Sequence, residues 1–165
     1  MSILKGKTVL LTGSTGSIGK EIAKKLSISG AKIALSATNI DKLMSLQADL
    51  GNDHSIYPCD LSDLNNINKL SEDVIGDFGT IDILINNAGI KRDDLLIRMK
   101  DDDWLDVINM NLTSVYKLTK NIAKHMFKQR QGKIISISSV VGFSGNPGQT
   151  NYVSSKSGLV GFTKS

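Results

Sequence analysis

The sequence predicts an α/β fold: a doubly wound parallel sheet with helices on both faces. Three observations point there. Short apolar runs rich in β-branched residues recur along the chain, segments of helical period separate them, and a glycine-rich turn joins the first run to the first helix. With 165 residues and 40% apolar content, one domain over 1–165 is expected.

The first strand is read at Thr8 to Thr12, and a helix follows with Ile18, Ile22 and Leu26 on one face, stopping at Gly30. Strand two is Lys32 to Ser36, and a second helix starts near Asp41. Strand three is Ser55 to Cys59; the helix after it carries Ile67, Leu70, Val74 and Phe78 at i, i+3, i+7 and i+11. Strand four is Ile81 to Ile85. Then come a helix capped near Asp101 and a longer one with Val115, Leu118, Ile122 and Met126 inward. Strand five is Lys133 to Ile137, and a last helix starts at Tyr152. In such sheets ligands bind beyond the C-terminal strand ends.

Bulk properties exclude several functions. The formal charge of +4 comes from 20 basic and 16 acidic residues scattered along the chain, so no basic arm for nucleic acid is expected. A mild positive excess can still steer an anionic partner. Cys59 has no second cysteine to bridge to, which fits a reducing compartment, and reads as a small buried side chain. Neither a signal peptide nor the roughly 20-residue apolar stretch of a membrane span is visible, so the cytoplasm is the expected location. Two distant histidines, His54 and His125, and one cysteine offer no metal-ligand spacing. A serine hydrolase would need a G-x-S-x-G elbow, which is absent.

The turn Thr12-Gly13-Ser14-Thr15-Gly16-Ser17-Ile18-Gly19 could bring backbone N–H groups and a helix N-terminus against a pyrophosphate. It is neither the common G-x-G-x-x-G nor a triphosphate P-loop, since Glu21 stands where a magnesium-binding hydroxyl would be needed. Alone, these glycines could equally serve to pack a strand on a helix. At the end of strand two, Ser36-Ala37-Thr38-Asn39 lacks the carboxylate that would bind a ribose 2′-hydroxyl. That favours NADP(H), with Thr38 or Asn39 donating to the 2′-phosphate.

Tyr152 and Lys156 are four apart on the final helix, so their Cβ atoms should lie about 5 to 6 Å apart. A nearby ammonium favours phenolate over phenol and makes the tyrosine a usable general acid. Ser139, at the end of strand five, could hold a substrate carbonyl oxygen beside it. Tyr116 and Lys120 repeat the spacing inside the preceding helix, but without a serine at a strand end, and read as a surface pair.

In this order the motifs resemble the short-chain dehydrogenase/reductase family. The set comprises the glycine turn, Asp60, Asn86-Asn87-Ala88-Gly89, Asn111, Ser139, and Tyr152 with Lys156. The resemblance implies a Rossmann-type fold in which Gly13, Ser14, Thr15, Gly16, Ile18, Gly19 and Thr38 bind the cofactor. Asp60 and Leu61 would flank adenine, and Asn87, Ala88 and Gly89 would lie against the cofactor. Lys156 would also bind the nicotinamide ribose, Asn111 would hold a relay water leading to Tyr152, and Ser139 and Tyr152 would contact substrate. Family members usually carry glycine where Ser17 stands.

A narrower resemblance, to the β-ketoacyl-acyl-carrier-protein reductases, rests on the stretch Gly89 to Lys100 and on Ser138 to Tyr152. It implies NADPH-dependent reduction of a carrier-bound 3-oxoacyl chain in fatty-acid synthesis, with Arg130 facing an acidic acyl carrier protein, and a homotetramer. It also implies that the family's last two strands and substrate-covering helices, a C-terminal part, are missing here. Alternatives are reduction of a sugar, steroid or polyketide carbonyl, or a non-catalytic protein that binds NADP(H).

Overall fold

The computed structural model describes residues 2–51 and 53–165. Strands β1 (Thr8–Thr12), β2 (Lys32–Ala37), β3 (Ser55–Pro58), β4 (Ile83–Asn86) and β5 (Lys133–Ser136) form one parallel sheet in the order β3-β2-β1-β4-β5. The chain builds outward from β1 on one side, then crosses to β4 on the other. The strand tips of β1 and β4 therefore part at a topological switch point, where α/β sheets open a ligand crevice.

Alternation along the strands feeds two cores. Leu10 and Leu84 point to one face, where α3 (Leu64–Phe78) and α5 (Ser114–Gln129) bring Ile67, Leu70, Val74, Leu118 and Ile122. Val9, Leu11 and Ile85 point to the other, against α1 (Ser17–Ile28) and α2 (Ile40–Leu50) with Ala23, Leu43 and Leu46. Helices thus cover both faces, as the strand–helix alternation predicts.

Several boundaries differ from the sequence reading. In α1 the fully sheltered positions are Gly19 and Ala23; Ile22 and Leu26 sit at the margin of the core, and Ile18 is 61% exposed. A glycine and an alanine let the helix approach the sheet closely, which moves the apolar stripe by one residue. The helix does end at Gly30, whose φ of 85° lets its N–H reach Ser27 O while Ala31 N reaches Leu26 O. Strand β4 starts later than expected because the Gln129 side-chain amide takes both the N–H and the carbonyl of Ile81, each at 3.2 Å. Asp82 instead pins the foot of β1, accepting from Lys7 Nζ at 2.7 Å and Thr8 N at 2.9 Å. Burial of Asp82 opposes its ionisation, but these two donors outweigh it and hold the carboxyl below the usual range.

The two helices expected after β4 are one rod. Helix α4 (Asp101–Ile108) runs into a π-helical turn, Asn109–Thr113, and on into α5. Asp101 is not the cap: Lys100 occupies that position without a side-chain bond, and Asp101, Asp102 and Asp103 place their charge in the first turn, where the helix dipole favours it. A four-residue helix, α6 (Val141–Ser144), follows β5, and α7 (Thr150–Lys164) starts two residues before Tyr152. Helix α7 packs on α4, the π turn and α6. No helix among the described residues is long and apolar enough to cross a membrane.

Candidate active site

The crevice between the tips of β1 and β4 is a cleft of about 580 Å³. Its floor is a welded seam. Thr12 Oγ1 accepts from Asn87 N at 3.0 Å and Ala88 N at 3.2 Å, while Asn87 Nδ2 donates to Thr12 O and Gly13 O, both at 3.0 Å. Gly13 has φ of 61°, and a Cβ there would lie 2.8 Å from Ala88 Cα. At Gly19 a Cβ would meet the Gly13 carbonyl oxygen at 2.1 Å, so both positions demand glycine. Gly16 is different, since its Cβ would find only ordinary contact at 3.5 Å. It caps α1 without a side-chain bond, which leaves the first-turn N–H groups open.

Of the residues read as cofactor contacts, Gly13, Thr15, Gly16, Ile18, Gly19, Thr38, Leu61, Asn87, Ala88 and Gly89 line this cleft. Two do not. Ser14 is fully buried, with its N–H and hydroxyl both on Ser36 O, and Asp60 turns its carboxylate to the N–H and hydroxyl of Ser62. Asn39 spends its side-chain oxygen on Lys42 N as the cap of α2. Ser36, whose buried hydroxyl lacks a partner among the described residues, also lines the cleft. A glycine-walled cradle, an open helix N-terminus and a spare hydroxyl fit a dinucleotide. Cys59, at the cleft's edge, is held inert: burial, with Asp60 and Asp63 nearby, pushes its thiol up to about 11.

Two of the predicted catalytic residues, Asn111 and Lys156, adjoin the cleft at Gly89. Asn111, fully buried in the π turn, pairs with both main-chain groups of Ile90: its Oδ1 accepts from Ile90 N at 2.8 Å and its Nδ2 donates to Ile90 O at 2.9 Å. The same Nδ2 reaches Ser155 Oγ at 3.1 Å, which ties the loop after β4 to α7. Its side chain is thereby fully occupied. Lys156 Nζ donates to Ile137 O at 2.8 Å and lies 3.7 Å from where a Gly89 Cβ would be. Burial pushes this ammonium below its ordinary value. Its nitrogen is 5.8 Å from the centre of the Tyr152 ring. Ser139 and Tyr152 are half-buried, and neither hydroxyl has a partner among the described residues.

Sequence reasoning missed several positioning groups. Asn151, fully buried, donates to Arg92 O at 2.8 Å and Asp103 O at 3.2 Å, and accepts from Tyr152 N at 2.7 Å. Ser155 and Thr12 complete the clamps. Their only signal was adjacency to the motif residues, because a buried amide's partners lie elsewhere in the chain.

The short chain dehydrogenase family model matches residues 7–165. The chain is 49% identical to the 3-oxoacyl-[acyl-carrier-protein] reductase FabG of Haemophilus influenzae, over 98% of the chain and 67% of that protein. Among solved structures, NAD+-bound xylitol dehydrogenase superposes with a TM-score of 0.93 at 30% identity, over 98% of this chain and 64% of that one. A variant actinorhodin polyketide ketoreductase with NADPH gives 0.92 at 33%, over 96% and 62%. The chain thus spans about two thirds of the length of its relatives. With a Rossmann-type sheet, a glycine-walled crevice and a tyrosine–lysine pair at its mouth, the chain belongs to the short-chain dehydrogenase family of oxidoreductases.

Proposed function

We propose that the protein is an NADPH-dependent 3-oxoacyl-[acyl-carrier-protein] reductase of fatty-acid synthesis. The observation that carries this is the placement of Lys156, between the cleft wall at Gly89 and the ring of Tyr152, whose hydroxyl has no partner among the described residues. The similarity to FabG supports the substrate class.

In this reading the dinucleotide lies along the glycine seam, with Thr38 toward the 2′-phosphate, and supplies a hydride when bound. Gly13, Thr15, Gly16, Ile18, Gly19, Leu61 and Asn87 to Gly89 shape its bed, and Ser14 acts through its backbone. Asp60 acts by fixing the turn that presents Leu61. Ser139 orients the substrate carbonyl, Tyr152 delivers the proton to its oxygen, and Lys156 holds a positive charge beside the phenol and a donor toward the cofactor ribose. Asn111 fixes the loop at Ile90 and marks the π turn where a relay water would sit. Arg130, exposed at the end of α5, faces the acidic carrier, and the protein works in the cytoplasm as a homotetramer.

The test is NADPH oxidation in the presence of a 3-oxoacyl thioester. Turnover is expected, slower with NADH, and Tyr152→Phe should lose it while keeping NADPH affinity. Binding without turnover would make the protein a non-catalytic dinucleotide binder, and tighter NADH binding would remove the assignment of the 2′-phosphate. A second reading, reduction of a sugar or polyketide carbonyl, draws on the likeness to xylitol dehydrogenase and the polyketide ketoreductase. Simple ketones assayed beside acyl thioesters separate the two.

A further inference from the structure

Lys91 is committed to nothing the proposed mechanism uses, yet its place is tightly determined. Its ammonium stands 5.6 Å from the centre of the Tyr152 ring, as near as Lys156 at 5.8 Å, but from a different element. The residues on either side of it are both held by fully buried asparagines. Asn111 takes the N–H and carbonyl of Ile90, and Asn151, the neighbour of Tyr152, donates to the carbonyl of Arg92. The backbone of Lys91 is thus fixed relative to Tyr152 from before and behind. The side chain also lines the cleft, and among the described residues it has no carboxylate partner within salt-bridge distance.

Of the carboxylates on the elements around the start of α7, those of Asp101, Asp102 and Asp106 on α4 are exposed, and three others are engaged elsewhere. Asp93 accepts from Gln149, Asp94 accepts from Leu95 N, and Asp103 pairs with Arg92 at 3.8 Å. The remaining charged group on α7 near the ring is Lys156. A cation over an aromatic face is attracted by the ring quadrupole, and beside a phenol it also favours release of the proton.

We propose that Lys91 is a positioning residue for Tyr152, a second ammonium that steadies the ring at the cleft mouth and eases departure of its proton. This rests on the reading of Tyr152 as proton donor. Its effect is exerted through the phenol, with no contact to substrate required.

The test follows the pH response of Tyr152 directly, by NMR of ring-labelled tyrosine in a Tyr116→Phe background. Of the two tyrosines left, Tyr57 is separated by burial and its bond to Asp77, which push its ionisation far up. Lys91→Met should move the Tyr152 midpoint upward by about half a unit, roughly a three-fold change in phenolate at a given pH, and Lys91→Arg should restore it. The acid limb of the pH profile for alcohol oxidation should move with it. An unmoved midpoint in Lys91→Met, or one that Arg does not restore, overturns the proposal. The NMR arm needs no substrate, so failure to reduce 3-oxoacyl thioesters would count against the function and leave this test intact.

Discussion

The chain holds two tyrosine–lysine pairs of identical spacing, and they show how little spacing alone decides. Lys120 Nζ bonds Tyr116 Oη at 3.2 Å on the surface, with the Tyr116 ring edge-on to Phe162. That pair is closed on itself. In the other, Lys156 is buried and bonded to Ile137 O, and the Tyr152 hydroxyl is left without a partner among the described residues beside the crevice. An available hydroxyl next to a desolvated cation is what proton transfer needs, and the surface pair has neither.

The sharpest way to break this comparison is to remove each hydroxyl. Tyr152→Phe should lower turnover by about 10²- to 10⁴-fold, the usual worth of a general acid, whereas Tyr116→Phe should leave it within about two-fold. Equal losses measured by NADPH oxidation would erase the distinction. The glycines extend the same logic. Gly19→Ala forces a Cβ into the Gly13 carbonyl and should cost about 1–3 kcal/mol in denaturant unfolding and most NADPH affinity. Gly16→Ala, with open contact and an ordinary φ of −74°, should cost about 1 kcal/mol or less.

Asparagines offer a third pair. Asn111→Leu strands both main-chain groups of Ile90 and should destabilise by about 1–3 kcal/mol. Asn121→Leu, which loses bonds only to the Asn68 and Ser71 side chains, should cost about 1 kcal/mol. Histidines give a pH test. His54 is buried, its Nδ1 accepting from Ile33 N at 3.3 Å, and burial, against a small pull from Asp53, holds its pKa below the ordinary value. The unfolded chain therefore binds a proton first: the stability His54 contributes is complete above about pH 6.5 and declines as pH falls below it. Replacing His54 with Gln should flatten this slope in pH-dependent melting.

The smallest effect concerns two left-handed helix ends. Gly79 ends α3 with φ of 68°, and Arg130 takes the same conformation after α5 with φ of 54°. Arg130→Gly should raise stability by about 1 kcal/mol or less, since a side chain is strained there. If the arginine serves an acidic carrier, the gain in melting temperature should come with slower reduction of carrier-bound substrate.

Strands and helices were legible because their apolar periodicity survives in the sequence. The π turn was not, because inserting one residue into a helical turn leaves the surrounding pattern of Val107, Val115 and Leu118 still helical. Helix α6 is too short for any period to register. The approach of Lys156 to the Tyr152 ring could be read from residue types at ordered positions. The clamps of Asn111 and Asn151 could not, since an amide names its capacity for hydrogen bonds and not its partners.

The seam at Thr12 carries one more implication. A single hydroxyl holding two consecutive amides, with an amide group from the opposite strand tip returning the grip, makes the bed rigid before anything rests on it. Deuterium uptake at residues 87 and 88 should accordingly be slow in the empty protein and change little on saturation with dinucleotide.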